Sequence, residues 1–148
     1  MKIKLLVINL ILFTAFAYGQ KENERLTNIP EMNLKENLEI KKISEDLKIG
    51  MIEFIEPGET EYTISDVEKC MELINSFLAE ISISNSKESG MLSVKNVVFE
   101  LNDLNEKCGH ELIETGQREQ IAEIIILAGH LKGYNDKDED ITEDWREW

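Results

Sequence analysis

The chain has 148 residues, with 30 acidic against 16 basic side chains and a formal net charge of −14. This is one domain's worth of chain, long enough for a single packed core. The acidity excludes nucleic acid and anionic membrane surfaces as ready partners, since both are bound through Lys and Arg that neutralise phosphates, and it favours a basic protein or cations, whose encounter it speeds.

Residues 1–19 read as a secretory signal peptide. Lys2 and Lys4 supply a basic start, Leu5 to Phe16 is apolar, and Ala17-Tyr18-Gly19 presents small residues for cleavage. The apolar run falls short of the roughly 20 residues that span a bilayer. The mature chain is expected to begin at Gln20, in an exported protein, periplasmic or secreted. Loss of Lys2 and Lys4 takes the formal charge from −14 to −16. No cysteine follows the apolar run, which argues against a lipid anchor. Residues 20–32 are polar and aperiodic, a flexible leader to a single domain over residues 33–148 with an acidic C-terminal tail.

Leu34, Leu38, Ile43 and Leu47 predict a helix over about 33–48, stopped near Gly50. Met51 to Ile55 is either a strand or one more helical turn, before Pro57-Gly58 enforces a turn. A helix over 65–81 is the clearest element. Ser65 and Glu68 suggest a capping box, and Val67, Cys70, Met71, Ile74, Phe77, Leu78 and Ile81 form one apolar stripe. Residues 82–90 read as a polar loop. Val94, Val97, Val98, Leu101, Leu104 and Cys108 make a second stripe, and Gly109 suits a left-handed cap. Thr115 is the expected N-cap of a further helix, with Ile121, Ile124, Ile125, Ala128 and Leu131 inward. Ile126 and Leu127 widen that face, so burial on two sides is expected. Gly133 ends it, and Thr142 caps a terminal turn over 143–148. The expected fold is all-α, a compact antiparallel bundle of about four helices. A small two-stranded addition near residues 51–63, with Ile81 to Ser84 as a further possible strand, would make it α+β.

Cys70 lies in the first stripe and Cys108 at the end of the second. In an exported chain that pair is expected to form a disulfide, closing a loop of about 39 residues and contributing about 4 kcal/mol in the chain-entropy model. Asp136, Asp138 and Asp140, with Glu147 eleven positions after the first, begin an EF-hand-like spacing. Ile141 stands where such a loop needs Gly, and no exit helix follows. Cys108, His110, Glu111 and Glu114 are metal-ligand types, yet the paired spacing of a zinc site is absent. No metal is therefore favoured, and no cofactor is implied. His130, in the last turn of its helix, suits the dipole there. Glu114 and Arg118 are spaced for a surface ion pair. With no nucleophile elbow, phosphate loop or zinc-protease motif, no catalytic residue is assigned. Trp145 and Trp148 share a helical spacing that either docks the chain end or, with Arg146, offers a binding anchor.

The segments at Leu101–Cys108, Leu112–Glu119 and Asp140–Trp148 (LNDLNEKC, LIETGQRE and DITEDWREW) resemble a pattern found in small uncharacterised bacterial proteins. The resemblance covers the C-terminal third and implies a shared helix–loop–helix–tail unit, with no activity attached.

The expected function is a non-enzymatic, exported, acidic helical module that binds a basic protein, as an inhibitor or immunity protein does. The expected contact residues are Asp136, Asp138, Asp140, Glu143, Trp145, Arg146 and Trp148. A calcium- or divalent-metal-binding protein using the same acids is the alternative, and a small hydrolase the third reading.

Overall fold

Two asparagines open the described chain by capping in succession. Asn33 Oδ1 accepts Lys35 N at 3.2 Å over a 3₁₀ turn, Leu34–Glu36, and Asn37 Oδ1 accepts Glu39 N at 3.0 Å and Ile40 N at 3.1 Å at the start of α1, Leu38–Glu53. The structure, a computed structural model, describes residues 33–56 and 59–148. The expected signal peptide and leader, residues 1–32, and the Pro57-Gly58 turn lie outside the described residues. A single helix from residue 33 was the expectation. Asn37 divides it because its side chain takes the backbone N–H groups that a continuous helix would bond. Gly50 does not stop α1, which runs on to Glu53.

Three more helices follow: α2, Ile64–Ile83; α3, Lys87–Lys107; and α4, Thr115–Leu131. Among the described residues the fold is all-helical, with four helices packed against each other and no strand. The two-stranded addition is thus not seen among the described residues. Met51 to Glu53 is the last turn of α1, and Tyr62 returns beside it, donating its hydroxyl to Met51 O at 2.8 Å. Ile81 to Ile83 continues α2. Its capping box is Thr63 with Asp66, not Ser65 with Glu68, so the helix starts earlier than expected. Ser86 and Ser89 cap each other at the start of α3, which leaves only residues 84–86 between α2 and α3.

The helical stripes meet in one core. Val67, Cys70, Ile74, Phe77, Leu78 and Ile81 of α2 are buried with Val94, Val97, Val98, Leu101 and Leu104 of α3. α4 adds Ile121, Ile124, Ile125 and Ala128, and its flanks bury Ala122 and Leu127 as well. Leu38 stands outside this core, 84% exposed. α2 packs along α3 and α1 along α4, and the pairs close on each other. Lys132 Nζ donates to Ser82 O at 2.6 Å, placing a cation on the terminal carbonyls of α2. Tyr134 Oη donates to Ser84 O at 2.9 Å.

The expected disulfide is not formed. Cys70 and Cys108 are both free and both buried. They sit in the core as small apolar side chains. Burial, and then the charge of Cys108, pushes the Cys70 thiol up to about 12. Both thiols should therefore resist alkylation by iodoacetamide at pH 8 in the folded chain and react once urea unfolds it. Rapid labelling of either cysteine in the native state would contradict this packing.

Candidate functional site

The C-terminal tail is built around three buried polar side chains. Asn135 Nδ2 donates to Ile126 O at 3.1 Å and to Asp136 O at 2.9 Å, turning the chain back as it leaves α4. Its carbonyl lies 3.1 Å from His130 Nδ1, so His130 serves this turn. Thr142 is fully buried. Asp140 Oδ1 accepts both Thr142 N at 2.9 Å and Thr142 Oγ1 at 2.7 Å, while Arg146 Nη1 donates to Asp140 Oδ2 at 2.7 Å and to Thr142 Oγ1 at 3.2 Å. Asp140, rather than Thr142, is the cap of the terminal turn. Asn102 of α3 then holds the chain end by both faces of its amide, donating to Trp145 O at 2.8 Å and accepting Glu147 N at 3.1 Å.

These bonds sort the expected contact residues. Asp136, Asp138 and Glu143 face solvent. Asp140 and Arg146 are spent on each other, and Trp145 and Trp148 are half-buried against the core. Trp145 also lines an open groove of about 490 Å³ with Met91, Leu92 and Lys95 of α3. The EF-hand-like acids do not converge. Asp140 is turned to Arg146, and no group of three or more His, Cys, Asp or Glu among the described residues is placed to hold a metal ion.

Burial pushes the Asp140 carboxyl up, but hydrogen bonds from Thr142 and the Arg146 guanidinium outweigh it and hold the group below its ordinary value of 3.8. A lowered folded-state value means that Asp140 contributes stability above the ordinary carboxylate range and loses it as pH falls through the lowered one. Asp140→Asn should therefore destabilise the chain at pH 7 and narrow its gap to the parent below pH 3. A gap that stays constant across that range would refute the ion pair's role. Asn102→Ala should cost about 2 kcal/mol and release the tail, read as faster hydrogen exchange at Trp145 and Glu147; unchanged exchange there would show that the tail is held by other contacts.

At the other end of the bundle the chain turns sharply after α3. Gly109 and His110 both take left-handed backbone, φ 63° and 65°. His110 N donates to Asn105 O at 2.8 Å, and the buried Asn105 side chain accepts Ile113 N at 2.9 Å. Left-handed geometry is uncommon outside glycine, and histidine is among the residues that tolerate it. This turn separates the weak zinc candidates. Cys108 faces inward, His110 outward, and Glu111 Oε2 accepts Glu61 N at 2.9 Å. Glu114, not Thr115, is the N-cap of α4, and no ion pair forms between Glu114 and Arg118. Glu111 and Glu114 instead line a pocket of about 110 Å³ with Phe54, Thr60, Tyr62 and Gln117.

Comparison with protein-family models, curated proteins and solved structures gives no match to this chain.

Sequence reasoning did not single out Asn102, Asn105, Tyr62 or Gln117. For the two asparagines a signal was present: each directly follows an apolar position of the α3 stripe, Leu101 or Leu104, at the edge of the buried face. A polar side chain there needs a buried partner. Nothing local marks Tyr62 or Gln117.

Proposed function

We propose that this chain is an exported, non-enzymatic module, an antiparallel four-helix bundle whose acidic surface binds a basic protein in the manner of an inhibitor or immunity protein. One observation carries the reading. Among the described residues the ion pairs are Lys69–Glu72 and Arg146–Asp140, so the other carboxylates have no basic group within 4 Å. Uncompensated like charge destabilises a compact state and accelerates association with an opposite charge. The contact surface is the exposed tail acids Asp136, Asp138 and Glu143, beside the groove floored by Trp145. Asp140 and Arg146 hold that surface in shape.

The test is an affinity capture from the source organism with the mature chain as bait, washed at low and high salt. A basic protein retained at low salt and released at high salt is expected. Its association rate should fall about tenfold at low ionic strength in the triple variant Asp136→Asn, Asp138→Asn, Glu143→Gln, and little at high salt. Equal rates at low salt would remove the tail from the contact surface, and failure to retain any basic protein would remove the reading itself.

A further inference from the structure

The outer face of α3 keeps two large apolar side chains in water although the tail lies beside it. Leu92 is 59% exposed and Phe99 is 44% exposed. They stand two helical turns apart on one side of the helix, a distance of about 10 Å. Each opens into a hollow. Leu92 lines the groove of about 490 Å³ with Met91 and the half-buried Trp145. Phe99 lines a second hollow, of about 300 Å³, with Val97 and the buried Phe77 of α2. Exposed apolar patches rimmed by polar groups mark places where another surface binds. The rim here carries negative charge in excess. Glu88 lines the first hollow, Glu80 and Glu100 line the second, and the exposed Glu143 and Asp144 directly precede Trp145. None of these carboxylates has a basic nitrogen within 4 Å among the described residues. Lys95 is the basic side chain of the two linings, and its ammonium is drawn to 5.5 Å from the centre of the Phe99 ring.

Apolar sockets two turns apart match apolar side chains at the same interval, and an amphipathic helix presents them at i and i+7. The acidic rim matches lysine or arginine beside those anchors. A second copy of this chain would set its own excess carboxylates against the same rim, and an anionic membrane would do likewise. We infer that the outer face of α3 receives an amphipathic helix of the basic partner protein. Its apolar stripe lies over Leu92 and Phe99, and its basic flanks meet Glu80, Glu88 and Glu100. The inference rests on the basic-partner reading for the source of that helix. It adds what net charge does not give: the form of the partner's binding segment and the two side chains on which it is anchored.

The probe is a peptide of leucine and lysine with its leucines on one helical face, about 14 residues long so that it spans both hollows. It is titrated into the ¹⁵N-labelled chain beside two controls, the same composition in scrambled order and the same pattern with glutamate for lysine. The patterned cationic peptide should shift the Trp145 indole N–H together with the backbone amides of Leu92, Lys95 and Phe99. It should bind about tenfold more tightly than either control. Leu92→Lys, at an exposed position, should leave the fold intact and weaken the peptide about tenfold, and Phe99→Ser should do the same from the second hollow. Equal affinity for the scrambled peptide, shifts spread over the whole acidic surface, or parental affinity in both variants would each overturn the inference. So would movement of the same resonances when the chain alone is concentrated, which would assign the face to a second copy. A captured basic protein that binds both variants with full affinity would overturn docking on α3 and leave the basic-partner reading in place. Docking of the peptide with no basic protein captured would sustain the chemistry of the face and overturn that reading.

Discussion

Leu101→Ala is expected to destabilise the bundle by about 3 kcal/mol, whereas Leu92→Ala on the same helix should change stability by less than about 0.5 kcal/mol. Both residues are leucines of α3. Leu101 is fully buried among the α2 and α4 stripes, and its removal leaves a cavity as well as lost transfer energy. Leu92 is 59% exposed beside the Trp145 groove. The measurement is a pair of urea titrations followed by far-ultraviolet circular dichroism, compared at equal m-value. Similar losses for the two would mean that the inner face of α3 is wrongly assigned. The same contrast protects the functional reading: a Leu92 variant that folds normally and binds partner less well would place the groove in the contact surface.

Glycine substitutions should split by sign. A Cβ at Gly90 would overlap the Tyr134 ring at Cε2 and Cδ2. That ring cannot step aside freely, because its hydroxyl is bonded at Ser84 and its chain is held by Lys132 on Ser82 O. Gly90→Ala should therefore cost about 2 kcal/mol, overpacking outweighing the helix propensity that alanine gains. Gly50→Ala meets nothing within 4 Å inside α1. It should raise stability by up to about 1 kcal/mol. Thermal melting of the two variants beside the parent decides the matter. A Gly90→Ala variant as stable as the parent would show that Tyr134 does not clamp the α2–α3 turn.

The opposite signs mark the limit of what glycine says in a sequence. Gly50 looked like a helix stop and is helix interior. Gly90 looked like the end of a loop and lies in the first turns of α3, where a ring from the far side of α4 demands it. Gly109 and Gly133, with φ of 63° and 73°, end their helices as their positions after a periodic stripe predicted.

The apolar spacing carried the architecture. Stripes at intervals of three and four marked α2, α3 and α4 and nearly all of their buried hydrophobic side chains, Ala122 excepted, because burial of a helix face is written locally every 3.6 residues. The width of the α4 stripe also foretold burial on both flanks. Helix starts were less legible. Ser65 with Glu68 fits the usual capping-box pattern, yet the box that forms is Thr63 with Asp66, two residues earlier and directly after Tyr62, which bonds Met51 O. Cysteine positions predicted a bridge that the packing does not make, since two residues on facing stripes can be buried as thiols without their sulfurs joining.

Acidity, helix number and inward faces thus follow from composition and period alone. Which acids face water, which are spent on Arg146, and which share a pocket with Gln117 follow only from where the chain returns. Asn102 meets Trp145 and Glu147, Tyr134 meets Gly90, and Glu111 meets Glu61 across long stretches of chain. The bonds that shape the tail surface and the end pocket are side-chain contacts between distant segments, and no periodicity records a partner that is brought close only by folding.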